Sequence, residues 1–164
     1  MCGKAAEKVV GPYKPLWTGQ TQWAGQFGVG HELVRRGYMV AFTLGNAPGV
    51  DLMCQSPSKV LFIVEVKSAR TKAPFLYQKV LREKSDGNRF FVFVFLPQDP
   101  KERPEYYVLT NKEFQETAAQ QEALDAEAVK KRGKPYAESW KTPGIGYKLL
   151  AAHNFRDAWP SLPK

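Results

Sequence analysis

Apolar positions follow two different spacings along the chain, and these spacings predict an order of helices and strands. Across residues 18–36 the apolar positions lie three or four apart, which is typical of an amphipathic helix. Several later segments are short apolar runs bounded by Gly, Pro or charged residues, which is typical of strands. Residues 89–96 are nearly all Phe and Val, as in a strand buried on both faces. The predicted order is α-β-β-β-α-β-β-α.

The pattern also sets approximate limits for each element. The predicted helices span residues 18–36, 75–84 and 112–131, and the predicted strands span 38–44, 50–55, 59–67, 89–96 and 105–109. Thr18 or Thr21 is expected to cap the first helix and Asn111 the last, and Gly37 is expected to end the first. The remaining residues, 136–164, are predicted to be irregular except for a short helix near 155–159. We therefore expect an α/β (α+β) fold with a mixed central sheet of about five strands flanked by helices.

Chain length and composition predict one domain preceded by a short arm. Residues 1–17 contain Gly-Pro and Lys-Pro pairs and are predicted to be an irregular arm, and 164 residues suffice to bury one substantial core. We expect a single domain over 18–164, with its core at about 20–131 and an extension at 132–164. No run of eighteen apolar residues occurs, so a membrane span is not expected. The chain has only two cysteines, which favours a reducing, cytoplasmic location.

Charge is distributed unevenly along the chain. The formal net charge is +8, which favours a polyanionic partner, although a solvated basic surface would have the same composition. The segment 59–89 carries eight basic residues against three acidic ones. Its basic residues are Lys59, Lys67, Arg70, Lys72, Lys79, Arg82, Lys84 and Arg89. Nucleic acid is therefore the expected partner class.

One acid and one acid–lysine pair carry the candidate chemistry. Asp51 closes a Gly/Pro-containing turn, and Glu65 and Lys67 stand at the end of the apolar run 61–66. Because alternate residues of a strand share a face, Glu65 and Lys67 are expected to point the same way, while Val64 and Val66 point into the core. If the strand of Asp51 lies beside that of Glu65, two carboxylates and an ammonium meet. The plainer alternatives are a turn-closing Asp and an exposed strand ion pair.

This arrangement resembles the catalytic motif of the PD-(D/E)XK nucleases, the restriction-endonuclease-like superfamily. The likeness covers roughly residues 20–110 in the order and character of the elements. It is closest to Holliday-junction resolvases and to small bacterial proteins with a Gly-Asn-Ala-x-Gly-Val-Asp turn, which is Gly45-Asn46-Ala47-Pro48-Gly49-Val50-Asp51 here. The C-terminal run Phe155-Arg156-Asp157-x-Trp159 is similar to the tail of those small proteins. The resemblance implies a restriction-endonuclease-like core.

The resemblance also implies an activity and a set of site residues. It implies an Mg2+-dependent DNA endonuclease, in which Mn2+ would substitute, with catalytic Asp51, Glu65 and Lys67. Asp51, Glu65 and the backbone carbonyl of Val66 would hold the metal, and Lys67 would assist the attacking water. The superfamily usually has a further acid on the first helix, and the corresponding position here is Gln26. Gln26 is therefore predicted to support the site, without adding negative charge.

Two alternatives to an active nuclease stay open, and several residues are assigned only to substrate contact. The first alternative is a catalytically decayed module that binds DNA, because of Gln26. The second is an accessory protein that docks other proteins. Candidate nucleic-acid contacts are Ser68, Arg70, Lys72, Lys79 and Arg82. Because junction-cleaving and restriction-type nucleases are commonly dimers, the resemblance also leaves a homodimer open.

Overall fold

The computed structural model describes residues 16–43, 49–83, 86–133 and 142–164. Its helices are α1 (Thr18–Arg35), α2 (Val80–Glu83), α3 (Asn111–Arg132) and α4 (Tyr147–Ala152), followed by a 3-10 helix at Trp159–Ser161. Its strands are β1 (Met39–Phe42), β2 (Leu52–Gln55), β3 (Leu61–Ala69), β4 (Phe75–Leu76), β5 (Arg89–Phe95), β6 (Glu105–Thr110) and β7 (Gly144–Ile145). Most of the predicted arm and most of the predicted Gly45–Gly49 turn lie outside the described residues.

A five-stranded mixed sheet flanked by helices forms the centre of the structure, as predicted. The strand order is β1-β2-β3-β5-β6, so the strand that ends in the Glu-x-Lys pattern is the central one. Strands β1, β2 and β3 form an antiparallel meander. Strand β5 then pairs parallel to β3, and β6 pairs antiparallel to β5. In the part of the chain that is described, no helix is long and apolar enough to cross a bilayer.

Two hydrophobic layers cover the two faces of the sheet. The first contains the inner face of α1, with Val29 and Leu33, and the side chains of Val64 and Val66 from β3. The second contains Phe114 of α3 with Phe91 and Phe93 of β5. Every residue of β5 except the last is buried, which confirms that it is a fully covered strand. Because Val64 and Val66 enter the first layer, Glu65 and Lys67 project on the other side of the sheet.

The limits of the main helices differ from the predicted caps. Helix α3 is capped by Thr110, not by Asn111, because the Thr110 hydroxyl accepts the backbone N–H of Glu113 and the Glu113 carboxylate accepts that of Thr110. Helix α1 begins at Thr18 with Trp17 as its N-cap, so neither predicted threonine caps it. Gly37 follows that helix with a φ of 86°, as expected for a left-handed C-terminal residue.

Two other secondary-structure predictions are wrong. The helix predicted over 75–84 begins instead as strand β4, which pairs with β7, and within the described residues 75–83 only Val80–Glu83 is helical. The extension predicted to be irregular contains β7 and α4, and the helix expected near 155–159 is absent there apart from the start of the 3-10 helix at Trp159. Its residues Ile145, Leu150 and Trp159 are buried in the two layers. The described part of this extension, residues 142–164, therefore contributes side chains to the core.

Removing the Phe114 side chain tests the second layer. Phe114 is fully buried and stacks on Phe91 with ring centroids 3.8 Å apart. We expect Phe114→Ala to lower the free energy of unfolding by about 3–5 kcal/mol, measured by urea denaturation, because it leaves a cavity. Leu124→Ala, on the same helix but 48% exposed, is the matched control and should change the value by less than about 0.5 kcal/mol. Equal losses in both variants would contradict this packing.

Candidate active site

The carboxylate of Asp51 fills a gap in the hydrogen-bonding of the sheet. Strand β2 starts at Leu52, which lies opposite Val64, whereas β3 continues to Ala69. The backbone of Val66 therefore extends beyond β2 on that edge. The Asp51 Oδ2 atom accepts its N–H at 2.7 Å. Within a strand, the N–H and C=O of one residue point to the same side. The Val66 carbonyl is thus directed toward the Asp51 side, where the resemblance expects a metal ligand.

Gln26 provides the other contact of this carboxylate. Its Nε2 atom donates to Asp51 Oδ1 at 2.6 Å, and the residue is 4% exposed. Gln26 points inward because it belongs to the buried face of α1. Glu32 lies on α1 as well, but it pairs with Arg36 and Arg103, away from Asp51. The amide of Gln26 therefore supports the site as predicted, and Glu32 does not replace the missing acid.

A glycine brings α1 close enough for this contact. A Cβ atom on Gly25 would lie 1.7 Å from the Ser68 Oγ atom and 2.8 Å from its Cβ. The absence of a side chain at residue 25 lets the helix rest directly on β3. The next residue, Gln26, then reaches Asp51 across the short gap. The Ser68 hydroxyl itself is buried against α1 and makes no hydrogen bond to the described residues.

Glu65 and Lys67 form an ion pair on the opposite face of β3 from Val66. The Lys67 Nζ atom donates to Glu65 Oε1, and the side chains are 23% and 5% exposed, respectively. The Glu65 Oε2 atom is buried and has no hydrogen-bond partner among the described residues. A buried carboxylate oxygen without a partner is unfavourable. The ion pair therefore satisfies only one of the two carboxylate oxygens of Glu65.

Burial disfavours the charged form of both candidate acids. Burial raises the pKa of Asp51, although the Val66 N–H, the charge of Lys67 and the Gln26 amide each oppose that rise. Burial also raises the pKa of Glu65. Lys67 and Arg89 lower that pKa, while the negative charge of Asp51 raises it further. Both acids therefore carry a cost of ionisation that a nearby cation would relieve.

Arg89 belongs to the site, although the sequence indicated only a member of a basic surface. It is 5% exposed and donates through Nη1 to the Gly49 carbonyl. A Cβ on Gly49 would lie 3.4 Å from Arg89 Nη1 and 3.9 Å from Glu65 Oε2, so both side chains border that glycine. The backbone φ of 78° at residue 49 also favours glycine. The signal in the sequence was an arginine at the head of an otherwise apolar strand.

Two neighbouring clefts open onto part of this group, namely Asp51 and Lys67. The first has a volume of about 580 Å³, and its walls include Asp51, Lys67, Ser68 and Arg70. The second, of about 520 Å³, includes Lys67 and Lys79. Because Lys67 and Leu76 line both, the clefts adjoin at these two residues. Three of the predicted nucleic-acid contacts, Ser68, Arg70 and Lys79, therefore border the site.

The other two predicted contacts have different surroundings. The Lys72 ammonium lies over the ring of Tyr147, 4.7 Å from its centroid. Arg82 is held by the Glu122 carboxylate and by the side chain and backbone carbonyl of Gln115. These partners belong to α3 and α4, which cover the second hydrophobic layer. The structure therefore does not bring Lys72 or Arg82 to the clefts.

The donor set is compatible with a hard divalent cation. Mg2+ typically takes one or two carboxylates and retains several waters, which matches Asp51, Glu65 and a backbone carbonyl. Within the described ranges, no group of three His, Cys, Asp or Glu residues is arranged around one point. The partnerless Glu65 oxygen is the feature that best fits a cation. Both Asp51 oxygens already accept hydrogen bonds, so a cation there would share them.

Comparison with protein-family models, curated proteins and solved structures gives no significant match for this chain. The likeness to the PD-(D/E)XK nucleases therefore stays a prediction that depends on the motif and its arrangement.

The raised pKa of Glu65 predicts a pH-dependent stability without metal. A carboxyl whose pKa is raised in the folded state binds protons more tightly there, so stability is lost as pH rises above its ordinary value of 4.5. In EDTA, Glu65→Gln should therefore become more stable relative to the unsubstituted protein as pH rises from 4 to 7. Urea denaturation across this range measures the difference, and the exposed Glu127→Gln is the control. A relative stability of Glu65→Gln that falls with pH would contradict it.

Proposed function

We propose that this protein is an Mg2+-dependent hydrolase of phosphodiester bonds in DNA, acting through Asp51, Glu65 and Lys67. The observation that carries the proposal is the Glu65 carboxylate. It is buried beside Asp51 and Lys67, and one of its oxygens has no partner in the described part of the chain. Proteins rarely retain a buried, half-satisfied carboxylate, except where it serves binding or catalysis.

Each residue has a defined task in the proposed reaction. Asp51 and Glu65, with the Val66 carbonyl, would hold Mg2+, which supplies charge stabilisation at the phosphoryl group and lowers the pKa of a bound water. Lys67 borders both clefts, and its ammonium would stabilise the negative charge that grows as water attacks phosphorus. Water gives up a proton to solvent as its oxygen forms the new P–O bond, the bond from phosphorus to the sugar oxygen breaks, and that oxygen takes up a proton from solvent. Gln26 and the Val66 N–H orient Asp51 throughout.

Charge and shape favour nucleic acid as the substrate class. Lys67, Arg70 and Lys79 border the two clefts, and Asp51 is the acid that borders them among the described residues. A phosphodiester backbone lying in these clefts would meet the positive charges of these three residues. Phosphate contacts of this kind supply most of the affinity of nonspecific nucleic-acid binding.

A second candidate, a DNA-binding module without catalysis, is favoured by the surroundings of Asp51. Its two oxygens accept N–H groups from Gln26 and Val66, and the position where the resembled family has an acid carries an amide donor. These contacts hold the carboxylate without any metal. In this candidate the clefts bind the phosphate backbone, and no bond is cleaved.

Substitution of the three site residues tests the first candidate. We expect Asp51→Asn, Glu65→Gln and Lys67→Met each to reduce Mg2+-dependent nicking of plasmid DNA by about a hundredfold or more, because each removes a metal ligand or the stabilising charge. Circular dichroism should show an intact fold. Glu127→Gln, an exposed acid on α3, is the control and should nick normally. Unchanged nicking in any site variant would remove that residue from the mechanism.

Restoring an acid on α1 distinguishes the two candidates. Gln26→Glu places a third carboxylate within hydrogen-bond distance of Asp51, which should tighten Mg2+ binding and raise the nicking rate by about tenfold. Without metal, the same change should lower stability, because two buried carboxylates repel one another. Nicking assays and thermal unfolding with Mg2+ or EDTA measure both effects. DNA retention in EDTA, with no nicking by either protein in Mg2+ or Mn2+, would favour the binding module.

A further inference from the structure

The charges of the candidate site balance without any bound cation. In their ionised forms Asp51 and Glu65 carry two negative charges, and Lys67 and Arg89, both neighbours of Glu65, carry two positive charges. Lys67 is in direct contact with Glu65, and Arg89 borders the same carboxylate across Gly49. A divalent cation entering this cluster would meet two positive groups already in place. Binding of the cation alone is therefore opposed by electrostatic repulsion.

The two positive groups differ in their freedom to move. Arg89 is 5% exposed and is tied to the Gly49 carbonyl inside the protein. Lys67 keeps 23% of its side chain exposed and borders both clefts. Its long, flexible side chain can turn into either cleft without unpacking the core. Lys67 is thus the group that can leave the carboxylate pair.

We propose that Lys67 exchanges the Glu65 carboxylate for a phosphate of the DNA, so that DNA and the divalent cation enter the site together. This inference rests on the proposed function. A phosphate in the cleft offers Lys67 a charge-assisted hydrogen bond equivalent to the one it leaves. Both oxygens of Glu65 then become available, because Oε2 has no partner in the described structure. In the absence of DNA, Lys67 holds the Glu65 oxygen that the cation would otherwise take.

The exchange has a thermodynamic consequence. If DNA removes a competing positive charge, it must tighten cation binding, and the cation must tighten DNA binding by the same factor. Removing the Lys67 charge by mutation should likewise tighten cation binding. Substitution of Lys67 would then tighten metal binding while abolishing cleavage.

Isothermal titration with Ca2+ tests the exchange without turnover. Ca2+ has the same preference for oxygen ligands and serves as the probe, alone and with a short DNA duplex. For the unsubstituted protein, we expect DNA to tighten Ca2+ binding at least about fivefold. Without DNA, Lys67→Met should bind Ca2+ about tenfold more tightly than the unsubstituted protein, and DNA should add a smaller factor. Lys67→Gln repeats the measurement with a polar side chain.

The control and the contrary outcomes separate this inference from the proposed function. Lys148→Met removes an exposed lysine on α4 and should leave the DNA-free Ca2+ affinity within about twofold. Ca2+ binding by Lys67→Met and Lys67→Gln that is no tighter than that of the unsubstituted protein would overturn the exchange and leave the metal site standing. DNA binding with no Ca2+ binding by any variant would overturn the metal site itself, and the exchange with it.

Discussion

The site depends on one hydrogen bond, from the Val66 N–H to the Asp51 carboxylate. Strand β2 begins at Leu52, opposite Val64, and does not reach Val66. The edge of the central strand β3 would therefore otherwise carry an unpaired backbone N–H at Val66. An unpaired donor in the interior is unfavourable, and the carboxylate satisfies it. The same contact holds Asp51 on the side of β3 to which the Val66 carbonyl also points. Gln26 completes the arrangement from α1, which Gly25 allows to lie directly on β3. The need to satisfy the Val66 N–H thus places the Asp51 carboxylate against β3, with the Gln26 amide on its other oxygen.

Burial raises the pKa of both carboxyl groups, and the positively charged side chains of Lys67 and Arg89 limit that rise. Desolvation raises the pKa of both Asp51 and Glu65, so the two acids are held in an environment that disfavours their charge. Lys67, which borders the cleft, offsets that cost for both acids, and the buried Arg89 offsets it for Glu65. The proposed nuclease and the proposed binding module differ in how this balance is used. In the first, a divalent cation takes over the neutralising role when substrate arrives. In the second, Lys67 and Arg89 keep it permanently.

Local patterns predicted the long elements well, because each is determined by its own side chains. Alternation and apolar runs located all five strands of the main sheet, and helical spacing located α1 and α3 to within a few residues. Errors appeared where a distant segment decides the conformation. Residues Phe75–Leu76 form a strand only because Gly144–Ile145 pairs with them, about seventy positions along the chain. The C-terminal extension packs into both hydrophobic layers. Its sequence did not predict this packing, because its apolar residues are too sparse to show a helical or strand period.

The sequence by itself determined the central strand, the shared face of Glu65 and Lys67, and the inward direction of Gln26, because strand and helix periodicity fix which residues share a side. It also indicated a basic chain suited to a polyanion. Only the tertiary structure decided that Asp51 meets the Val66 N–H, that Arg89 is a buried neighbour of Glu65, and that Lys72 and Arg82 are engaged elsewhere. These outcomes depend on where β2 ends against β3 and on which side chains reach across from other elements. Such distances between segments remote in sequence arise from packing and leave no local pattern.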